Sequence, residues 1–352
     1  MHFMSDNAAP VPAEVLAAMT EAAPHPAAPY GNDPLTARAE GLMREFFAAP
    51  EAAVRLVATG TAANALSLAT LTAPWQTIFA HRTAHVEEDE CGAPEFFSCG
   101  ARLTLIDGEH GRIAPESLAA AIAVTGKRGV HGVQRGPVTL TNATEAGTVY
   151  QPGEIARIGG IARRHGLPLH LDGARIANAL VHTGSSAADL TWRAGVTIAS
   201  FGGTKLGVPG VEAVLLFDPD LAWEFDLRRK RAGHLVSRHV YLAAQIVALM
   251  KDDLWRRLAE AANAAAAALA ARLGALSHVR LWHPVEANMV FAEWPRALHR
   301  RLRAAGAQYY MWPVDAPLDE GGDDEPIGAR LVTSWATREE EVDRFCRILE
   351  AG

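Results

Sequence analysis

The chain is poor in cysteine, in clustered positive charge and in long apolar runs. Only Cys91, Cys99 and Cys346 occur among 352 residues, with no C-x-x-C pair. That odd number excludes a disulfide framework and points to a reducing, cytoplasmic location. The 33 basic residues are scattered among 40 acidic ones, for a net charge of −7. A nucleic-acid binder would concentrate its positive charge on one face, so that class is excluded. The one basic run, "RRKRAGH" at 228–234, reads as a solvated helix end. No window of about 18 residues is apolar throughout, as a membrane span requires. The nearest approach, the alanine-rich stretch 259–276, is broken by Asn263 and Arg272. Alanine is a strong helix former but only weakly hydrophobic, so this stretch is expected to be a long helix in water. The N-terminal segment lacks the charged start and apolar centre of an export signal. Also missing are G-x-x-x-x-G-K-[ST], G-x-G-x-x-G and H-E-x-x-H, the signatures of a phosphate loop, a dinucleotide fold and a zinc protease.

What is present is an alternation. Short apolar runs at 54–60, 77–81, 102–107, 137–144, 167–175, 196–200 and 211–217 read as strands, with helical segments between most of them. In "QPGEIARIGGIARRHG", Ile155, Ile158, Ile161 and Ala162 recur at helical spacing and Gly166 supplies the stop. Near-continuously apolar strands alternating with helices predict an α/β fold, a mostly parallel sheet covered on both faces. Beyond about residue 220 the pattern becomes α+β. A large domain with an N-terminal arm is expected over 1–245, and a smaller C-terminal α+β domain over 246–352. The acidic, glycine- and proline-rich stretch 315–328 reads as an exposed loop.

Ligands of open parallel sheets bind beyond the carboxyl ends of the strands. In "TGTAAN", Gly60 and Thr61 open a helix whose free amide hydrogens favour a phosphate, although most such turns are plain N-caps. Asp172 ends the run "LPLHL", where a buried carboxylate needs a cationic partner. Asp172 either caps the next helix or holds a charge, that of Arg175 as an ion pair or of a protonated ring nitrogen; Arg175 is alternatively free to grip a substrate carboxylate. In "HRTAHVEEDE", His81, His85 and the acids 87–90 superficially resemble metal ligands, but the spacing fits no zinc pattern. The four acids read as a solvated face, and His85 as a stacking group or base. Lys205, in "ASFGGTKLG", is a surface turn lysine or an amine that captures a carbonyl cofactor. A phosphate cradle, a carboxylate, a flat side chain and a lysine, each at a different strand end, together match the needs of pyridoxal phosphate.

With these motifs in order, the chain resembles the threonine aldolase family of pyridoxal-phosphate enzymes. The likeness runs from "SDNAAPVPAEVLAAM" through "YGNDPLT", "TGTAAN", "ATEAGTVY", "HLDGARIANAL" and "SFGGTK" to "RLVTSWAT". It implies fold type I, with a seven-stranded sheet, and retro-aldol cleavage of β-hydroxy-α-amino acids to glycine and an aldehyde. It implies that Lys205 holds the cofactor, Asp172 its ring nitrogen, and Gly60, Thr61 and Thr204 its phosphate. His85 would stack on the ring and handle the hydroxyl proton. Arg175, Arg330 and Ser5 would bind the substrate carboxylate. Tyr30 would reach a neighbouring subunit in a homodimer or homotetramer. Two positions depart from the family: Glu145 stands where many members have histidine, and Leu206 where close relatives have asparagine. Leu206 is expected to dry the pocket edge, and the glycines beside Lys205 to make room for the cofactor. Two alternatives stay open, namely a β-eliminating lyase or aminotransferase on the same scaffold, and a metal-dependent lyase or binding protein built on His81 and His85.

Overall fold

The computed structural model describes residues 1–351. Its main sheet has seven strands: β1 (Ala53–Val57), β2 (Gln76–His81), β3 (Arg102–Ile106), β4 (Gln134–Thr141), β5 (Leu169–Asp172), β6 (Ile198–Gly202) and β7 (Glu212–Leu216). Their spatial order is β1-β7-β6-β5-β4-β2-β3. Only β7 runs against its neighbours, and the remaining pairings are parallel. All residues of β5, β6 and β7 are buried, as expected of central strands covered on both faces. The carboxyl ends of β1, β2, β4, β5 and β6 therefore share one edge.

The helix Gly60–Leu71 follows β1 directly. Thr59 caps it, its hydroxyl accepting from the Ala62 amide, and residues from Ala62 to Thr70 are buried. Its small side chains allow it to lie close against the sheet. The helix Pro152–Arg164 starts with a capping box between Gln151 and Glu154 and buries the isoleucine stripe read from the sequence.

A second, antiparallel sheet of four strands comprises β8 (Arg280–Leu281), β9 (Met289–Pro295), β10 (Tyr310–Met311) and β11 (Pro326–Val332). Strand β11 begins inside the stretch expected to be loop, and β10 is too short to show a period. This sheet has its own core around Trp294, Tyr309 and Phe345. The alanine-rich helix Leu254–Gly274 serves both cores, Leu254 to Ala259 facing the large one and Ala266 to Leu273 the small one. Residue 245 lies within the helix Val240–Met250, which packs on the large core. The N-terminal arm also joins the two cores: Phe3 is buried in the small one, and its carbonyl accepts from the Val332 amide. The basic run is not wholly solvated as expected. Arg229 is buried, paired with Asp226 at 2.9 Å and donating to the Leu56 carbonyl. No helix among the described residues is long and apolar enough to cross a membrane.

Candidate active site

Two adjoining cavities open at the carboxyl edge of the main sheet. The inner one, about 340 Å³, is bounded by Thr59, Gly60, Thr61, Asp172, Thr204 and Glu212. The outer one, about 430 Å³, is bounded by Ser5, Glu145, Arg175, Tyr310, Trp312 and Arg330. His85, Lys205 and Asn7 line both. Ten of the eleven expected site residues thus come together. Tyr30 stands apart within the chain, exposed, with its ring under the Lys230 ammonium at 4.6 Å.

Backbone contacts at the ends of β5 and β6 fix Asp172 relative to Lys205. The Gly173 amide donates to the Ser200 hydroxyl at 2.8 Å, and the Gly202 amide to the Gly173 carbonyl. A β-carbon at Gly202 would stand 2.1 Å from the Ala174 carbonyl oxygen, and one at Gly203 would stand 2.6 Å from that of Val211. These glycines therefore serve close backbone approach, which corrects the expectation that they make room for a cofactor. Leu206 is likewise corrected: it is buried in the large core and lines neither cavity.

Asp172 is fully buried. Its carboxylate accepts from the Asn64 side chain at 2.8 Å and from the Ala174 amide at 2.9 Å. Burial pushes its pKa up, but Lys205 and His85 outweigh that and hold it below the usual carboxylate range. The ion-pair alternative with Arg175 is not what forms. Arg175 instead donates from Nε and Nη2 to both oxygens of Asp6, at 2.7 and 3.1 Å. Asn288 supports the same carboxylate at 3.0 Å. Arg175 still borders the outer cavity and has Nη1 uncommitted among the described residues. Arg330 borders it too, its guanidinium 5.8 Å from the Trp312 ring centroid. Ser5 borders the cavity while its hydroxyl accepts the Asn7 amide hydrogen.

The acidic run is not wholly the solvated face expected of it. Glu87, Glu88 and Asp89 are exposed, but Glu90 is buried. One Glu90 oxygen accepts from His85 Nδ1 at 3.0 Å and from Asn64 Nδ2 at 2.8 Å. Asn64 thereby bridges Glu90 and Asp172. Burial alone would lower the His85 pKa, but the hydrogen bond to Glu90, with Glu145 and Asp172 nearby, raises it. With Nδ1 donating to a carboxylate, the neutral ring presents Nε2 as an acceptor. His81 is occupied by Thr83 and the Gly108 carbonyl. Among the described residues no three of His, Cys, Asp or Glu are grouped to hold a metal ion.

The residues fit pyridoxal phosphate on structural grounds. A β-carbon at Gly60 would meet no protein atom within 4 Å, so the space before this helix start is open. The Thr204 hydroxyl is buried close to the Glu212 carboxyl, yet has no partner in hydrogen-bond geometry. An ionised buried carboxylate, Asp172, faces the same cavity as the lysine. The cavity volume also falls within the range of pre-formed cofactor sites.

The beta-eliminating lyase family profile matches residues 2–295. A low specificity L-threonine aldolase of Pseudomonas aeruginosa is 42% identical over 345 residues, covering 98% of this chain and 96% of its own. Another, from a Pseudomonas species, is 39% identical over 349 residues, covering 99% and 97%. The solved threonine aldolase of Leishmania major superposes with a TM-score of 0.90 at 29% identity, covering 99% of this chain and 98% of its own. The fold is thus the one the resemblance implied. By sequence and by structure, the chain belongs to the beta-eliminating lyase family and, within it, to the threonine aldolases.

Proposed function

We propose that the protein cleaves L-threonine, L-allo-threonine and related β-hydroxy-α-amino acids to glycine and an aldehyde. The observation that carries this reading is the continuity of the two cavities through His85 and Lys205, which puts a base candidate and the lysine between a phosphate cradle and a pair of arginines. The cofactor of this family is pyridoxal 5′-phosphate. When bound, it supplies the sink for the electron pair released from the breaking Cα–Cβ bond.

The remaining work falls to the chain's own residues. Lys205 anchors the cofactor covalently through its amine. Asp172, ionised and held by Asn64, keeps a positive charge on the ring nitrogen. Gly60, Thr61 and Thr204 receive the phosphate at the helix start. Arg330 and the free Nη1 of Arg175 grip the substrate carboxylate, which turns the Cα–Cβ bond to the orientation it needs to break. His85 flanks the ring and takes the β-hydroxyl proton at Nε2. Glu90 holds the tautomer that makes Nε2 the acceptor. Glu145, on the outer cavity, faces the same hydroxyl.

The reading includes a cytoplasmic location, supported by exposed free thiols at Cys91 and Cys99. It also includes a homodimer or homotetramer, in which the exposed Tyr30 reaches the site of a second copy. The test is aldehyde release from L-threonine, L-allo-threonine, D-threonine and phenylserine. Aldehyde from the first two, but not from D-threonine, is the expected result. No aldehyde from any of the four overturns the reading.

A further inference from the structure

Glu212 is the one charged residue of strand β7, "EAVLL", and is buried at 4% exposure. In the sheet it pairs with Gly202 of β6 and Val57 of β1. One carboxyl oxygen accepts the Gly203 amide hydrogen at 2.9 Å. No salt bridge to Glu212 forms among the described residues, an unusual state for a buried acid. Its side chain borders the inner cavity beside Thr59, Gly60, Thr61 and Thr204.

Among the described residues of one chain, the inner cavity has little positive charge. Its one basic side chain besides His85 is Lys205, and no arginine lines it. A phosphate ester carries close to two negative charges at neutral pH. Received at the start of the helix Gly60–Leu71, it would face a carboxyl where a guanidinium would be the more usual counterpart. An ionised Glu212 would repel it, whereas a protonated one offers an O–H donor.

The groups facing Glu212 also favour a proton on it. Lys205, on the turn Thr204–Leu206, is the single cation, and Asp172 at the end of β5 adds like charge. The helix Gly60–Leu71 presents amides and the Thr61 hydroxyl. The Ala58 peptide after β1 is held by the neutral acceptor Nδ1 of His234. Burial pushes the Glu212 carboxyl up to about 7, with the nearby Thr204 hydroxyl, the Gly203 amide and Lys205 pulling it only partly back.

Resting on the cofactor reading above, we propose that Glu212 receives the cofactor phosphate as a neutral carboxylic acid, donating its hydrogen to a phosphate oxygen, so that binding draws one proton from solvent. No bond other than this O–H is made or broken. A carboxylic acid kept neutral by its surroundings in order to donate is an established device in enzyme sites.

The test uses the apoprotein and pyridoxine 5′-phosphate, which has no aldehyde to react with Lys205. Calorimetry near pH 8, in two buffers of different ionisation enthalpy, counts the protons taken up. About one proton per ligand is expected, with affinity falling about tenfold per pH unit above neutrality. Glu212→Gln keeps an N–H donor that needs no proton, so uptake vanishes and affinity becomes flat with pH. Lys205→Ala retains the uptake, which separates Glu212 from the lysine. Binding by the wild type without proton uptake, or undiminished uptake in Glu212→Gln, overturns the inference alone. Failure of both pyridoxine 5′-phosphate and pyridoxal 5′-phosphate to bind overturns the cofactor reading and this inference with it.

Discussion

Replacing Glu90 by glutamine probes the part of the site least visible from the sequence. The Glu90 side chain is fully buried and accepts two hydrogen bonds at one oxygen, from His85 at 3.0 Å and Asn64 at 2.8 Å. Glutamine keeps the size and an oxygen that can accept both hydrogen bonds, but removes the charge. A hydrogen bond to a buried charged group is worth about 1.5–3 kcal/mol. Since a neutral hydrogen bond is worth about 0.5–1.5 kcal/mol and about 1.4 kcal/mol corresponds to a tenfold change in equilibrium, His85 should lose about five- to tenfold in proton affinity. The sign follows from the geometry: the carboxylate favours imidazolium, so its loss must lower the His85 pKa. If neutral His85 is the base, the acid limb of the rate–pH profile moves to lower pH. The maximal rate falls as well, because a less basic ring takes the proton less readily. Histidine-labelled protein followed by NMR across pH reads the His85 titration directly, and aldehyde release gives the rate profile. An unchanged or raised His85 titration in Glu90→Gln, or an acid limb that stays in place, refutes the dyad.

Three further outcomes are expected. Asp6→Ala leaves the Arg175 guanidinium buried without its partner, since the two side chains are 1% and 3% exposed; urea unfolding should show a loss of about 3–5 kcal/mol, and a loss below about 1 kcal/mol would mean that the arm is not a structural latch. Gly203→Ala places a β-carbon 2.6 Å from the Val211 carbonyl oxygen, so the Lys205 turn must shift; the variant should lose thermal stability and its capacity to bind pyridoxal phosphate, and a wild-type melting curve would contradict this. Burial holds His170, His239 and His299 down to about 4. The unfolded chain then binds more protons than the native one as pH falls from about 6.5 toward 4, so each histidine removes up to about 1.4 kcal/mol per pH unit over that window. Asp6, whose carboxyl Arg175 and Lys205 hold low against burial, adds a loss in the same direction at more acid pH. Urea midpoints that do not fall between pH 7 and pH 5 would contradict the burial of these rings.

The sequence is most legible where one residue type has one reason to be at a strand end. Lys205, Asp172, His85 and the Gly60 helix start stand out because each interrupts an apolar run at the same edge of the sheet. What supports them is harder to read. Glu90 belongs to a run of four acids, and only the fold shows that the last turns inward. Asp6 sits in a polar arm whose destination, Arg175, is 169 residues away. Asn64 is one polar residue in an alanine-rich helix, and its two partners come from different segments. Glu212 did carry a signal, because a lone acid opening a fully buried strand needs a reason. The glycines near Lys205 were legible as necessary but not as to why, since the carbonyls they avoid belong to Ala174 and Val211. By adjacency to Lys205 alone Leu206 reads as a pocket residue, whereas the turn directs it into the core.

The central claim is that the Cα–Cβ bond of the substrate is the one cleaved. It is tested most directly by following L-threonine with the pyridoxal-phosphate-loaded protein by proton NMR. Glycine and acetaldehyde are expected in equal amounts, and neither product with Lys205→Ala. The appearance of 2-oxobutyrate and ammonia without glycine would contradict it and assign β-elimination instead.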